Sequence, residues 1–208
     1  MLIRILVWWA LLPALLMAIT AKEIADKSEA VYSEKKTFSV KFEQVVSTGE
    51  FFDDERTTGS MKLAYPKKYR IETPEQVFVS DGDTLWTYSD ENRQVTVEPT
   101  NRLDDFVTPA DYLFRLREHY ELSYDSTEVI EKKPYHRLSL RSLKDDQYVR
   151  SMKVLIDPET YLIRRVMYRD INDNKISLDF HDWKLGATLK PEDFRFKTPA
   201  GVEEVRIP

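Results

Sequence analysis

From Phe38 onward, bulky apolar residues fall on every second position. In FSVKFEQVV, Phe38, Val40 and Phe42 alternate with Ser39, Lys41 and Glu43. A period of two puts successive side chains on opposite faces of a strand, so this run predicts a half-buried β-strand. The same rhythm continues in GSMKLAYP, where Met61, Leu63 and Tyr65 share a face, and in the next run, where Tyr69 and Ile71 do. VFVS, TLWTYS and QVTVEP follow, separated by turn residues at Asp81-Gly82 and at Ser89 to Asn92. Glycine at the first of these turns supplies the positive φ that a tight hairpin needs.

Two stretches break the alternation. AKEIADKSEAVYSEKKTF carries Ile24, Ala25, Ser28, Val31 and Tyr32 at spacings of three and four, which predicts a surface helix over residues 22–36 with one narrow apolar stripe. Thr108-Pro109 reads as an N-cap followed by a first-turn proline, and Tyr112, Leu113 and Leu116 continue a stripe, so a second helix is expected over 109–117. Strand patterns resume in HYELSYDS, YHRLSLRSL, QYVRSMKVLID, YLIRRVMYRD and KISLDFHDWKL. The expectation is a mainly β chain of about ten or eleven antiparallel strands with two helices.

An open sheet that long curls or splits. A curled sheet has an inside, and the face carrying Phe38, Val40, Phe42, Met61, Leu63, Tyr65, Tyr69 and Ile71 is bulky and uncharged. Its opposite carries Lys41, Glu43, Lys62, Lys68, Arg70 and Glu72. Two readings compete for the apolar face: a core filled by its own side chains and the helices, or a ligand pocket with the helices as its lid.

The N-terminus narrows the setting. MLIRILVWWALLPALLMAITA places one basic residue before a short apolar run ending in small residues, the pattern of a secretory leader, here read as residues 1–21 with cleavage after Ala21. Residues 22–208 are then expected to form one domain. The chain has no cysteine, so it holds neither a disulfide framework nor the thiol that a bacterial lipid anchor requires. A formal net charge of −5, without a basic cluster, argues against a nucleic-acid partner.

Reactive chemistry is sparse. The three histidines, His119, His136 and His181, fall on different predicted strands with no second ligand at metal spacing. Asp170, Asn172 and Asn174 open like a calcium loop, yet Lys175 occupies the position that requires glycine and no glutamate closes the loop. Asp81 and Asp83 flank a turn. With five glycines in the chain and no nucleophile elbow, phosphate loop or dinucleotide fingerprint, no enzyme, metal or cofactor is expected.

Several segments, taken in order, carry a resemblance: F-S-V-K-F-E-Q from Phe38; G-S-M-K-L-A-Y-P from Gly59, followed by Tyr69-Arg70; V-S-D-G-D-T-L-W-T-Y from Val79, with Gln94-Val95 after it; and F-R-F-K-T-P-A-G-V from Phe194. Their order and spacing behind a leader resemble the periplasmic outer-membrane lipoprotein carriers, the LolA family. Residues 120–180 match only in strand pattern.

That resemblance implies an incomplete, half-open antiparallel barrel with helices across its mouth and an apolar cavity beneath. It implies a monomeric periplasmic shuttle that takes acylated lipoproteins from an ABC-type release complex in the inner membrane to a receptor at the outer membrane. Under it, the cavity wall is Phe38, Val40, Phe42, Met61, Leu63, Tyr65, Tyr69 and Ile71, extended by Val77, Val79 and Leu85. The lid face is Ile24, Val31 and Tyr32, and Leu85, Trp86 and Tyr88 pack into the walls or support the lid. One departure stands out: where family members often carry a lid-holding arginine before the proline, this chain has Tyr65. A carrier of another lipid or glycolipid, and a lipoprotein-sensing domain on the same fold, remain open readings, with a lipid-acting enzyme behind them.

Overall fold

The computed structural model describes residues 19–49, 53–100, 116–144, 149–170 and 172–207. Helix α1 spans Ala21–Lys35 and leads into β1 (Thr37–Ser47). The meander continues with β2 (Glu55–Ala64), β3 (Lys68–Glu72), β4 (Gln76–Ser80), β5 (Thr84–Ser89) and β6 (Gln94–Pro99). A short helical turn, α2 (Leu116–His119), precedes β7 (Tyr120–Ile130), β8 (Lys133–Ser142), β9 (Ser151–Ile156), β10 (Ile163–Arg169) and β11 (Lys175–Leu185). A single 3-10 turn, Pro191–Phe194, and β12 (Glu203–Arg206) end the chain.

All twelve strands lie in one sheet, in the order β12-β6-β5-β4-β3-β2-β1-β11-β10-β9-β8-β7. The order begins and ends on different strands, so the sheet is not closed into a barrel. It curls all the same, because one face contributes to a single apolar cluster from Leu85 on β5, through Phe38 and Phe180, to Tyr120 on β7. Helices contribute little beyond α1.

Several expectations need correction. The helix begins at Ala21, one residue early, because Thr20 is its N-cap: the Thr20 hydroxyl accepts the Glu23 N–H and the Glu23 carboxylate accepts the Thr20 N–H, a reciprocal capping box. Ala21, the first residue of the helix, is itself buried. Of the second helix, residues 109–115 lie outside the described residues, and α2 is the turn that follows. A twelfth strand, β12, pairs in parallel with β6. Its four residues are too few to show a period.

The convex face has its own cover. The C-terminal segment turns back under β2 to β6, where Lys62 holds Asp193 at 2.6 Å, Phe194 is buried and Phe196 stacks on Tyr88 with ring centroids 5.6 Å apart.

Candidate functional site

Directly paired residues in an antiparallel ladder share a face, so the register decides which side chains meet. Phe38, Val40 and Phe42 on β1 stand opposite Leu63, Met61 and Gly59 on β2, and Leu63 and Met61 in turn oppose Tyr69 and Ile71 on β3. All seven of these large side chains are buried, none more than 8 % exposed. Gly59 is the counterpart of an oversized partner: a Cβ there would collide with the Phe42 ring and lie 2.6 Å from the Glu72 carbonyl. The aromatic ring covers the bare glycine backbone, which keeps the apolar surface continuous across the two strands.

On β4 the register reverses the expected assignment. Ile71 opposes Phe78 and Tyr69 opposes Ser80, so it is Phe78 that joins the apolar face. Val77 and Val79 pair with Glu72 and Arg70 and therefore lie on the convex side, as do their partners Tyr88 and Trp86 on β5. Leu85, opposite Ser80, does face inward and belongs to the cluster. Tyr65 sits beyond the end of β2 in the turn to β3, 40 % exposed at the rim.

The second half of the sheet extends this apolar face with residues that the alternation in β1 to β5 did not single out. Leu138, Leu140, Met152, Val154, Val166 and Phe180 are buried on the same face. β8 and the centre of β11 alternate much as β1 does, but β9 ends in three consecutive buried residues and β10 carries an irregularity between Ile163 and Arg165. What was missing was the long-range pairing of β1 with β11, which sets Phe42 opposite Phe180.

Helix α1 lies against this surface. Ile24, Ala25, Ser28 and Tyr32 are all fully buried along one stripe, while Val31 is only half-buried on its flank. The Tyr32 ring packs 5.3 Å from Phe38 and 5.5 Å from Trp183. Its hydroxyl accepts the backbone N–H of Ile163 at 3.1 Å, and Trp183 Nε1 donates to the Ile163 carbonyl at 3.2 Å. The ladder between β10 and β11 begins only at Arg165, so it does not serve Ile163, and two aromatic side chains satisfy that backbone instead. Burial pushes the Tyr32 phenol far above its ordinary pKa of 10.0, and the Ile163 N–H offsets this in part, so the group stays neutral.

Polar ties at the periphery of α1 add to these. Lys27 Nζ meets the Tyr161 hydroxyl at 3.0 Å, with the ammonium 4.8 Å from the ring centroid. Arg117 of α2 bridges Asp26 at 2.6 Å and Glu29 at 3.0 Å. Among the described residues, α1 is thus held by the buried Tyr32–Ile163 hydrogen bond, by the large side chains of Ile24 and Tyr32 with the small buried Ala21, Ala25 and Ser28, and by part-exposed charges.

Among the described residues no group of three or more His, Cys, Asp or Glu side chains is placed to hold a metal ion. The Asp170 carboxylate accepts the backbone N–H groups of Asn172 and Asn174 and the Asn174 amide, which makes it a hairpin-turn acceptor. No described helix is long and apolar enough to cross a membrane.

Comparison with known proteins agrees with this architecture. Residues 33–197 match the family model described as outer membrane lipoprotein carrier protein LolA. The chain is 28 % identical to the outer-membrane lipoprotein carrier protein of Nitrosomonas europaea, with 92 % of this chain and 93 % of that protein covered. It is also 28 % identical to the protein of the same description in Legionella pneumophila strain Corby, covering 92 % and 96 %. Among solved structures, an uncharacterized conserved protein from Thermus thermophilus superposes with a TM-score of 0.61 at 14 % identity, covering 90 % of this chain and 99 % of that one. With most of its length matched by the family model, this chain belongs to the LolA family of outer membrane lipoprotein carrier proteins.

Proposed function

We propose that this protein is a non-enzymatic carrier, exported to the periplasm behind its N-terminal leader, that binds the acyl chains of lipoproteins in the hollow between the concave sheet face and α1. The observation that supports this reading best is the seat of α1: a continuous uncharged sheet face covered by a helix whose large buried side chains are Ile24 and Tyr32. Its relatives' description as lipoprotein carriers supports the choice of cargo. The donor is read as an inner-membrane release complex and the acceptor as an outer-membrane receptor.

Magnitudes favour exchange over simple filling. Burying Ile24 and the Tyr32 ring contributes about 2–3 kcal/mol each, and the Tyr32 hydrogen bond about 1 kcal/mol. An acyl methylene contributes about 0.8 kcal/mol, so displacing these two side chains costs roughly what burying eight methylenes returns. A chain that enters only partway leaves the two states near balance, and longer contact tips it toward cargo. Three acyl chains sealed completely would exceed the practical ceiling of non-covalent affinity, about 20 kcal/mol, and would not be handed over.

The test is to purify the exported protein from its own host without detergent and analyse what it carries by mass spectrometry. Acylated N-terminal cysteine peptides support the proposal. A single class of free lipid moves the function to lipid transport, and an empty protein that also refuses acylated peptides in vitro overturns the carrier reading.

A further inference from the structure

The rim where α1 meets β1, β2 and β11 combines two exposed apolar side chains with unpaired cations. The N–H of Tyr65 donates to the Lys36 carbonyl at 2.7 Å, which ties the β2–β3 turn to the end of α1. Leu185 stands opposite Phe38 at the start of β1, and the Gly186 N–H donates to the Thr37 carbonyl at 2.7 Å. Tyr65 and Leu185, 40 % and 36 % exposed, therefore flank the same strand end. Around them Lys36, Lys67, Lys68 and Lys184 are all exposed, and none has a carboxylate within 4.0 Å among the described residues. Two of the neighbouring acids are paired, Glu34 with Lys35 and Asp182 with Lys41, while in the turn beside Lys67 the Asp81 carboxylate accepts two N–H groups and Asp83 is exposed, so the lysines outnumber the unpaired acids. Four such lysines gathered around two apolar side chains make a local positive patch on a chain of net charge −5.

We infer that this rim is a docking surface for an anionic lipid bilayer, with Lys36, Lys67, Lys68 and Lys184 facing lipid phosphates and Tyr65 and Leu185 seated at the headgroup boundary. Lysine stems lie along apolar surface while their ammonium groups stay in the polar layer. A tyrosine ring with its hydroxyl in water is an interfacial side chain for the same reason. Four compact charges around two modest apolar groups suit a reversible electrostatic contact and give too little apolar area for stable insertion. The contact places the open edge of the hollow beside α1 at the membrane surface. It does not depend on the carrier reading: a chain that held no acyl group would still bind such a surface, and a carrier that never touched a bilayer would not.

The experiment is co-sedimentation of the full protein with vesicles of pure phosphatidylcholine and of phosphatidylcholine containing one-third phosphatidylglycerol, at low salt and at high salt. Wild type should sediment with the anionic vesicles and be released as salt shortens the Debye length to about 3 Å near 1 M. Each lysine near such a surface is worth about a fivefold factor in partition, so Lys67→Ser combined with Lys68→Ser should weaken binding by about 25-fold without moving the melting temperature. Tyr65→Ser should remove the part of binding that resists salt. Equal behaviour on the two vesicle types, or wild-type partition in the double variant, overturns the inference. So does a protein that ignores both vesicles yet binds soluble polyglutamate, which would mark the rim as a site for an acidic protein.

Discussion

The hydroxyl of Tyr32 on α1 accepts the backbone N–H of Ile163 on β10, 3.1 Å away and 131 residues along the chain. This is a buried polar tie of the helix to the sheet, and its side chain comes from the helix. Tyr32→Phe keeps the ring against Phe38 and Trp183 but leaves a buried donor unsatisfied, so the empty protein should lose about 1–3 kcal/mol of stability in denaturant titration. Because only the closed state is weakened, a hydrophobic dye or acylated peptide should bind more tightly, by about tenfold for each 1.4 kcal/mol.

Arg117, itself 42 % exposed, bridges the half-buried carboxylates of Asp26 and Glu29, and ion pairs open to solvent on one side are worth about 1 kcal/mol. Arg117→Ala should therefore change stability and acyl-peptide affinity less than Tyr32→Phe. Its small effect should shrink further with added salt. Isothermal titration of both variants at two ionic strengths checks the ranking.

Gly59→Ala tests the continuity of the apolar face. A methyl group there meets the Phe42 ring and the Glu72 carbonyl, and only the ring has room to turn away. Overpacking of this kind costs about 1–3 kcal/mol, which thermal unfolding should register as a lower melting temperature with dye binding reduced as Phe42 is displaced.

Acid sensitivity should trace partly to the C-terminal segment. The Lys190 backbone N–H, and then Lys62, hold the Asp193 carboxyl below its ordinary value of 3.8. A depressed carboxyl pKa stabilises the fold above the unfolded value and ceases to do so as the pH falls through the folded one. Stability attributable to Asp193 is thus complete above about pH 4 and lost below it, in the usual carboxylate range. Asp193→Asn should lower stability at neutral pH and flatten the acid limb of the stability curve, as measured by denaturant midpoints between pH 2 and pH 7.

The alternation in β1, β2 and β3 was sufficient to group Phe38, Val40, Phe42, Met61, Leu63, Tyr69 and Ile71, because a period of two fixes a face within each strand and these strands are long enough to display it. It failed at β4. In VFVS the apolar residues run without alternation, so only the pairing of Ile71 with Phe78 reveals that Val77 and Val79 turn outward. The same pairing sends Trp86 and Tyr88 to the convex side, where Phe196 stacks on Tyr88. The Tyr32 tie was not legible for a related reason: Ile163 offers only its backbone, and no residue type marks a strand N–H that its neighbouring strand leaves unserved.

The central claim is that α1 and cargo compete for one surface. The chain has no native cysteine, so Ala30→Cys on the exposed side of α1 and Thr58→Cys on the convex side of β2 take spin labels cleanly. The distance distribution between them, measured by double electron–electron resonance with and without a triacylated peptide, reads the seat of the helix directly. A second, displaced population that grows with the fraction of peptide bound is the predicted result. An unchanged distribution in the peptide-saturated protein would contradict the exchange.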